Sequence, residues 1–294
     1  MLKGRPVITL LSDFGLHDSF VAQMKGVILT LNPSATLVDI THMIAPYDVM
    51  GGALILGGSF SVFPPGTVHL AVVDPGVGSS RRPIVVVTQD YFFVGPDNGM
   101  FSCVYRQVQG DFQVYHATST DYLRKNSKGS AAIGSTFHGR DVFAPICAHL
   151  GNGLDPERLG HRIDDFITLD IPDPTVDVNS GSVSGQVIYI DHFGNCITNI
   201  DDAMLKTTLR GISTAEMCIV FRDTALPFTC CYQEAGHMQL SALINSSGSL
   251  ELFVNQASAS RLFGISVGQQ VAAKAFPKCQ GGNHASNNFL TYSS

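Results

Sequence analysis

Charge is scarce in this 294-residue chain: Asp, Glu, Lys and Arg together make up 14% of it, and the net charge is −6. No basic run and no interleaving of basic and aromatic residues occurs, so the electrostatic footprint of a nucleic-acid partner is missing. No apolar run reaches the roughly 20 residues that a spanning helix needs, and no membrane partner is expected. The start, Met1-Leu-Lys-Gly-Arg-Pro6, leads into a strand pattern rather than a signal-type apolar region, so a cytoplasmic location is expected. The seven cysteines (103, 147, 196, 218, 230, 231 and 279) form no C-x-x-C pair. They read as reduced, structural residues that serve as small core hydrophobes. G-x-G-x-x-G is absent, which disfavours a nicotinamide dinucleotide. H-x-x-x-H and other compact ligand sets are absent too, so no metal is expected.

What is present is apolar material, 45% of the residues, enough for a large core and, at this length, two domains. Residues 7–11 form an apolar strand. Phe20, Val21, Met24, Val27, Ile28 and Leu31 follow at helical spacing, with Asp18 as the expected N-cap. A strand over 35–40, a helix capped by Asp48 and a buried strand over 68–73 come next. Residues 83–88 and 91–94 then read as a hairpin, and a helix over 139–150 closes the domain. Strand, helix, strand, helix, strand giving way to an antiparallel pattern predicts an α/β N-terminal domain, a mixed sheet flanked by helices, over 1–172. Two prolines and small polar residues mark 173–183 as a linker. Short strand patterns at 185–190, 215–221, 227–232, 237–243 and 250–254 predict an all-β, barrel-like C-terminal domain over 184–277. The polar residues 278–294 read as a disordered tail.

Chemistry-bearing residues collect where strands end. Leu70 to Val73 deliver Asp74 into Asp74-Pro-Gly-Val-Gly-Ser-Ser-Arg81-Arg82, a glycine-rich loop that can bring a guanidinium back to a carboxylate. Alone, the D-P-G is also what an ordinary turn with an exposed ion pair looks like. Ser12-Asp13-Phe14-Gly15 puts a second acid at the end of the first strand, and loops after neighbouring parallel strands converge on one crevice. His138, in Thr136-Phe-His-Gly-Arg-Asp141, stands before a helix, where it could orient water or accept a proton; a single histidine there is more often a structural residue. Arg140 and Asp141 are helix-start residues, and Asp141 taken alone could be explained by the helix dipole. Gly95-Pro-Asp97-Asn98-Gly99 is turn chemistry. Asp191-His-Phe193-Gly-Asn195 ends a strand with an acid, a ring and an amide. That combination can stack on a purine and hydrogen-bond its edge, or simply make a β-turn.

In order, L-x-S-D-F-G, D-P-G-V-G-x-x-R, G-P-D-N-G, F-H-G-R-D and D-x-F-G-N-x-x-T-N resemble the S-adenosylmethionine hydrolases, also called SAM hydroxide adenosyltransferases, over about Val7 to Gln270. These are relatives of the fluorinases and chlorinases. The resemblance implies an N-terminal α/β domain, a C-terminal β-barrel, and a homotrimer whose active sites lie where one subunit's N-terminal domain meets the next subunit's C-terminal domain. It implies attack of water or hydroxide on ribose C5′, releasing adenosine and methionine, with S-adenosylmethionine as substrate and no cofactor. By the same resemblance Asp74, Arg81 and His138 hold the nucleophilic water, and Asp13 grips the ribose hydroxyls. Asp191 lies near the methionine amino group, Phe193 packs on the ligand and Asn195 binds adenine. Ala257 stands in a stretch implied to make backbone contacts to adenine, although the loop Asn245-Ser-Ser-Gly-Ser249 lacks the arginines of the halogenases. Halogenating relatives carry an aromatic or small residue at the Asp74 position and no histidine at the His138 position, so the resemblance favours water over halide. Whether Arg81 or the adjacent Arg82 faces the site rests on spacing alone. A halogenase, a non-catalytic sensor of an adenosine-type ligand and a metal-dependent hydrolase are the competing readings.

Overall fold

The structure, a computed structural model, describes residues 5–126, 128–178, 180–209 and 217–275. The chain divides after Ile171 into two compact units. The first is built on a seven-stranded mixed sheet in the order β2-β1-β3-β5-β4-β6-β7. Its strands are β1 (Val7–Ser12), β2 (Thr36–Thr41), β3 (Val68–Val72), β4 (Pro83–Thr88), β5 (Phe92–Pro96), β6 (Phe112–Ala117) and β7 (Gly160–Ile163). Strands β2, β1, β3 and β5 run parallel, whereas β4, β6 and β7 pair antiparallel. That is the mixed sheet expected from the sequence.

Both faces of this sheet are covered, which is why β1 and β3 read as continuous apolar runs rather than alternating ones. On one face α1 (Phe20–Leu31) and α4 (Ala144–Gly151) pack Met24, Ile28, Ile146 and Leu150 against Ile8, Leu10, Leu70 and Val72. On the other, α2 (Val49–Gly57) and α3 (Ser102–Gln107) bring Ala53, Leu56 and Val104 against Leu11, Ala71 and Val73. Each fully buried leucine or isoleucine contributes about 1.5–3 kcal/mol relative to exposure, so the strand ends are held in a rigid slab. Asp48 caps α2 by accepting from the Gly51 amide. Asp18 does not cap α1: the helix starts at Phe20 behind Ser19, with no side-chain cap. The helix expected over 139–150 opens instead with a π turn, Gly139–Phe143, before α4 begins.

Among the described residues the second unit is an antiparallel, nearly closed sheet with two short α-helices. Its strands are β8 (Thr175–Asp177), β9 (Ser182–Ile190), β10 (Cys196–Asp201), β11 (Met217–Phe221), β12 (Thr224–Leu226), β13 (Leu240–Ile244), β14 (Ser249–Val254) and β15 (Gln270–Ala275); the helices are α5 (Asp202–Thr208) and α6 (Ala259–Phe263). The order is β12-β11-β15-β9-β10-β14-β13, with β8 added to β9. The stretch read as a linker thus contributes a strand, because Val176 registers against Val183 and satisfies its backbone on that edge. No strand forms over 227–232. Pro227 has no N–H for a ladder, but its carbonyl accepts from Ala242 N at 2.8 Å and Thr229 N donates to Ala242 O at 2.9 Å, which nearly joins β12 to β13. The expected tail over 278–294 lies outside the described residues, and among those no helix is long and apolar enough to cross a membrane.

Candidate functional site

Strands β1 and β3 are parallel neighbours with Ser12 registered on Val72, so Asp13 and Asp74 leave the sheet from one edge. After Asp74 the chain coils through tight turns. Val77 N donates to Asp74 O, Ser79 N and Oγ both donate to Gly76 O, and Ser79 Oγ accepts from Arg81 N. This coil carries the Arg81 side chain back over its starting point. Arg81 Nε donates to Asp74 Oδ1 at 2.8 Å and Nη2 donates to Asp74 Oδ2, a bidentate pair whose side chains are only 9% and 5% exposed. Arg81 Nη2 also reaches His138 Nδ1 at 2.6 Å, and the guanidinium lies 5.0 Å over the Phe143 ring.

A guanidinium only donates, so His138 Nδ1 accepts and a neutral ring carries its proton on Nε2. The sequence allows His138 either to orient water or to accept a proton; here its acceptor nitrogen is engaged by Arg81 and Nε2–H is the group left to act. Burial, then the charge of Arg81, hold the His138 pKa below the ordinary imidazole value against the opposing pull of Asp74 and Asp141. Arg81 Nη1 is buried and meets no hydrogen-bond partner among the described residues. The cluster therefore offers a carboxylate, a guanidinium N–H and an imidazole N–H, a set suited to holding one small oxygen nucleophile.

Backbone contacts set this arrangement. Gly78 adopts φ +78°, and a Cβ there would collide with the Ser135 carbonyl oxygen, so the 74–81 loop rests directly on the segment leading to His138. Asp141 ties that segment down from inside. It accepts from Gly134 N at 2.9 Å, Arg140 Nε at 2.7 Å and Arg124 Nη1 at 3.2 Å while wholly buried. Burial raises its pKa, but the bonds from Arg140 and Gly134 outweigh this and hold it low. Paired charges, rather than the helix dipole, account for this residue.

The Pro96-Asp97-Asn98 turn clasps both ends of the 74–81 loop. Asn98 Nδ2 donates to Val73 O at 2.8 Å, just ahead of Asp74. Just past Arg81, Arg82 Nε donates to Asp97 Oδ2 at 2.8 Å and Nη1 to Asp165 Oδ1 at 2.7 Å. Arg81 thus faces the cluster and Arg82 is an outward anchor. Asp13 shares the edge, its Oδ2 accepting from Tyr47 N at 2.9 Å; among the described residues no hydrogen bond or ion pair joins it to Asp74, Arg81 or His138. His69, in the middle of β3, is not part of the site. It pairs with Thr9 Oγ1 at 2.7 Å among aromatic rings, and burial pushes its pKa down to about 3.

In the second unit the β9–β10 turn is wound around Asp191. Its Oδ1 accepts from Asn195 N at 2.8 Å and its Oδ2 from Asn195 Nδ2 at 3.2 Å. A carboxylate only accepts, so the amide is oriented with Nδ2 on Asp191 and its carbonyl oxygen left for another donor. Gly194, at φ +87°, lets the turn approach Ser258, where any Cβ would collide with the Ser258 hydroxyl, and Ser260 N donates to Gly194 O at 2.9 Å. Between turn and loop lies a pocket of about 570 Å3, lined by Phe193, Asn195, Tyr232, Val254 and residues 255–258, Ala257 among them. Phe193 is 74% exposed and Asn195 7%. Tyr232 was not foreseen. Its hydroxyl donates to buried Glu251 at 2.9 Å and its ring meets Phe253 edge-on; the sequence showed only a tyrosine in a stretch misread as a strand. Asp97 and Asn98 were seen as a turn, without a signal that they frame the loop beside them.

Residues 8–160 match the SAM hydroxide adenosyltransferase N-terminal domain and residues 185–272 the C-terminal domain of the same name. An (R)-S-adenosyl-L-methionine hydrolase from Salinispora arenicola is 33% identical over 274 residues, spanning 93% of this chain and 100% of the relative. A fluorinase from Nocardia brasiliensis is 28% identical over 301 residues, 92% of this chain and 97% of that protein. Among solved structures, an uncharacterized conserved protein from Thermotoga maritima aligns with a TM-score of 0.82 and 32% identity, covering 91% of this chain and 99% of that one.

Proposed function

The chain belongs to the SAM hydroxide adenosyltransferase family, and from that premise we propose that it hydrolyses S-adenosyl-L-methionine to adenosine and L-methionine. The observation that carries this reading is the Asp74–Arg81–His138 cluster, in which the Asp74–Arg81 ion pair is buried. Water attacks ribose C5′ in line with the sulfonium: the C5′–O bond forms, the C5′–S bond breaks, and its electron pair stays on sulfur, so methionine leaves as a neutral thioether. Such a leaving group needs neither a general acid nor a metal to polarise it. The protein's task is to hold one water in line and exclude others. Asp74 accepts a hydrogen bond from the water and takes up the proton as the bond forms. Arg81 Nη1 and His138 Nε2–H donate to its oxygen and favour hydroxide character. A buried carboxylate repels chloride or fluoride, which sets this chain apart from its fluorinase relative.

Asp13 binds the ribose hydroxyls, Phe193 packs on the adenine, and Asn195 presents its carbonyl to the adenine amino group, with Ala257 alongside. Asp191 adds charge near the methionine amino group. The loops around the first unit's site expose Leu16, Met43, Tyr47 and Val77, and the second unit's pocket exposes Phe193. Apolar rims of this kind support a homotrimer in which subunits complete one another's sites, with the enzyme acting in the cytoplasm. The decisive experiment is chromatography of S-adenosylmethionine incubated with the purified protein in chelator, with and without chloride. Adenosine and methionine in both samples are the expected outcome. A 5′-chloro product would transfer the chain to the halogenases, loss of activity in chelator would restore a metal-dependent reaction, and bound but unchanged substrate would make it a sensor.

A further inference from the structure

A second histidine stands at the same edge of the sheet. His42 follows β2 and is 2% exposed; its Nδ1 is 2.7 Å from the Oγ of Ser12, which is wholly buried. Ser12 Oγ also accepts from Phe14 N at 3.3 Å; because the carboxylate beside His42 Nε2 only accepts, a neutral His42 ring accepts the Ser12 hydroxyl proton's hydrogen bond at Nδ1. The His42 proton then sits on Nε2, 3.1 Å from Asp39 Oδ1, near enough to pair electrostatically though poorly aligned for a hydrogen bond. Asp39 in turn accepts from Lys25 Nζ at 2.7 Å. Burial raises the Asp39 pKa, but the hydrogen bond from Lys25 and the nearby His42 ring together outweigh it and hold it low. Ser, His and Asp in this order are the members of a nucleophile relay, but Ser12 has no access to a substrate. The chain of contacts is a clamp.

What it clamps is specific. His42 holds the 12–15 loop at two points: through its ring at Ser12, and through its carbonyl, which accepts from Gly15 N at 2.8 Å. Asp13 lies between those two points. The β1–β2 register slips by one residue just below, Leu10 facing Asp39 and Leu11 facing Thr41, a bulge of the kind that re-aims side chains beside functional sites. Gly15 is at φ +66°, so the loop turns sharply at its second anchor.

We propose that His42, backed by Asp39, is a positioning residue that fixes the 12–15 loop and so aims the Asp13 carboxylate at the ribose hydroxyls of the bound nucleoside. This rests on the reading of Asp13 as the ribose-binding acid. The test compares binding of adenosine and of 2′,3′-dideoxyadenosine by titration calorimetry in the full-length wild type, Ser12→Ala, Asp13→Ala and the double variant, with melting curves to confirm folding. The wild type prefers adenosine, and Asp13→Ala abolishes the preference. Ser12→Ala lowers adenosine affinity about tenfold, equivalent to about 1.4 kcal/mol, and leaves the dideoxy ligand within twofold. The double variant is no weaker than Asp13→Ala, because both changes break one interaction. Equal weakening of both ligands by Ser12→Ala, or additive losses in the double variant, would overturn the positioning role while leaving Asp13 as the ribose acid. An unchanged preference in Asp13→Ala would overturn the ribose reading itself, and the proposal with it. If the cavity in Ser12→Ala prevents folding, Asp39→Asn, at the partly exposed end of the clamp, is expected to show the same ligand-selective loss at two- to threefold; a loss shared by both ligands would count against the proposal.

Discussion

The 74–81 loop of the first unit and the 191–195 turn of the second are both strand-end turns built on an aspartate, and they use it in opposite ways. Asp74 gives its two oxygens to a guanidinium that reaches on to His138, so charge is concentrated and buried. Asp191 gives its two oxygens to the backbone and side-chain amides of Asn195, so the group presented outward is neutral and already oriented. Beside the first lies an arginine-stacked Phe143; beside the second, an exposed Phe193 and an apolar pocket. A buried charge cluster suits a step in which charge moves, and a fixed amide beside a ring suits recognition of a flat heterocycle.

Removing the first aspartate should break this comparison most severely. Asp74→Ala is expected to lower kcat by about a thousandfold, in the range found when one electrostatic group is removed from a reacting centre. It should also destabilise the fold by about 3–5 kcal/mol, since Arg81 would be left buried and unpaired. Steady-state kinetics and denaturant titration check both, and a change confined to KM would mean that Asp74 only binds. Next in size, Asn195→Ala should raise KM by about 10- to 100-fold, the loss of about 1–3 kcal/mol from an unpaired polar contact, with kcat nearly unchanged. A matching fall in kcat would erase the division between the two turns.

The smallest effect sharpens the comparison through pH. His138 titrates below the ordinary imidazole value, so the neutral ring, and activity with it, should persist as pH falls past about 6.5. His69, held to about 3, is likewise neutral when folded. Both histidines take up protons more readily in the unfolded chain, so stability is complete above about 6.5 and declines as pH falls below it. The acid limb of kcat against pH and melting temperatures from pH 8 to 5 test this. His138→Gln should remove the limb's histidine component while the acid decline in melting temperature remains, carried by His69.

Much of this was legible in the chain. The apolar run of β1, the helical spacing from Phe20 to Leu31 and the Asp48 cap are local signals, and local physics decided them. The convergence of Asp74, Arg81 and His138 could be anticipated from ordered motifs, but the choice between Arg81 and Arg82 could not. Neighbouring residues point different ways, and the partner that draws Arg82 outward is Asp97, fifteen positions along. Asp141 looked like a helix-start acid because its partners Arg124 and Gly134 come from a preceding loop. Strand β15 was missed since Gln270-Val-Ala-Ala-Lys-Ala275 has weak strand propensity; its place between β11 and β9 comes from tertiary pairing.

The close approach of Gly78 to Ser135 has a consequence for how such a site changes over generations. The two loops that carry Arg81 and His138 meet backbone to backbone at Gly78 and Ser135, so this contact does not depend on the side chains that do the chemistry. Residues at 74 and 138 can be exchanged without disturbing that backbone contact, provided the charge of Arg81 finds another partner, whereas a side chain at 78 would force the loops apart. A lineage built on this frame can alter the nucleophile it accepts by replacing side chains without rebuilding a strand, and glycine at 78 is the position that keeps that route open.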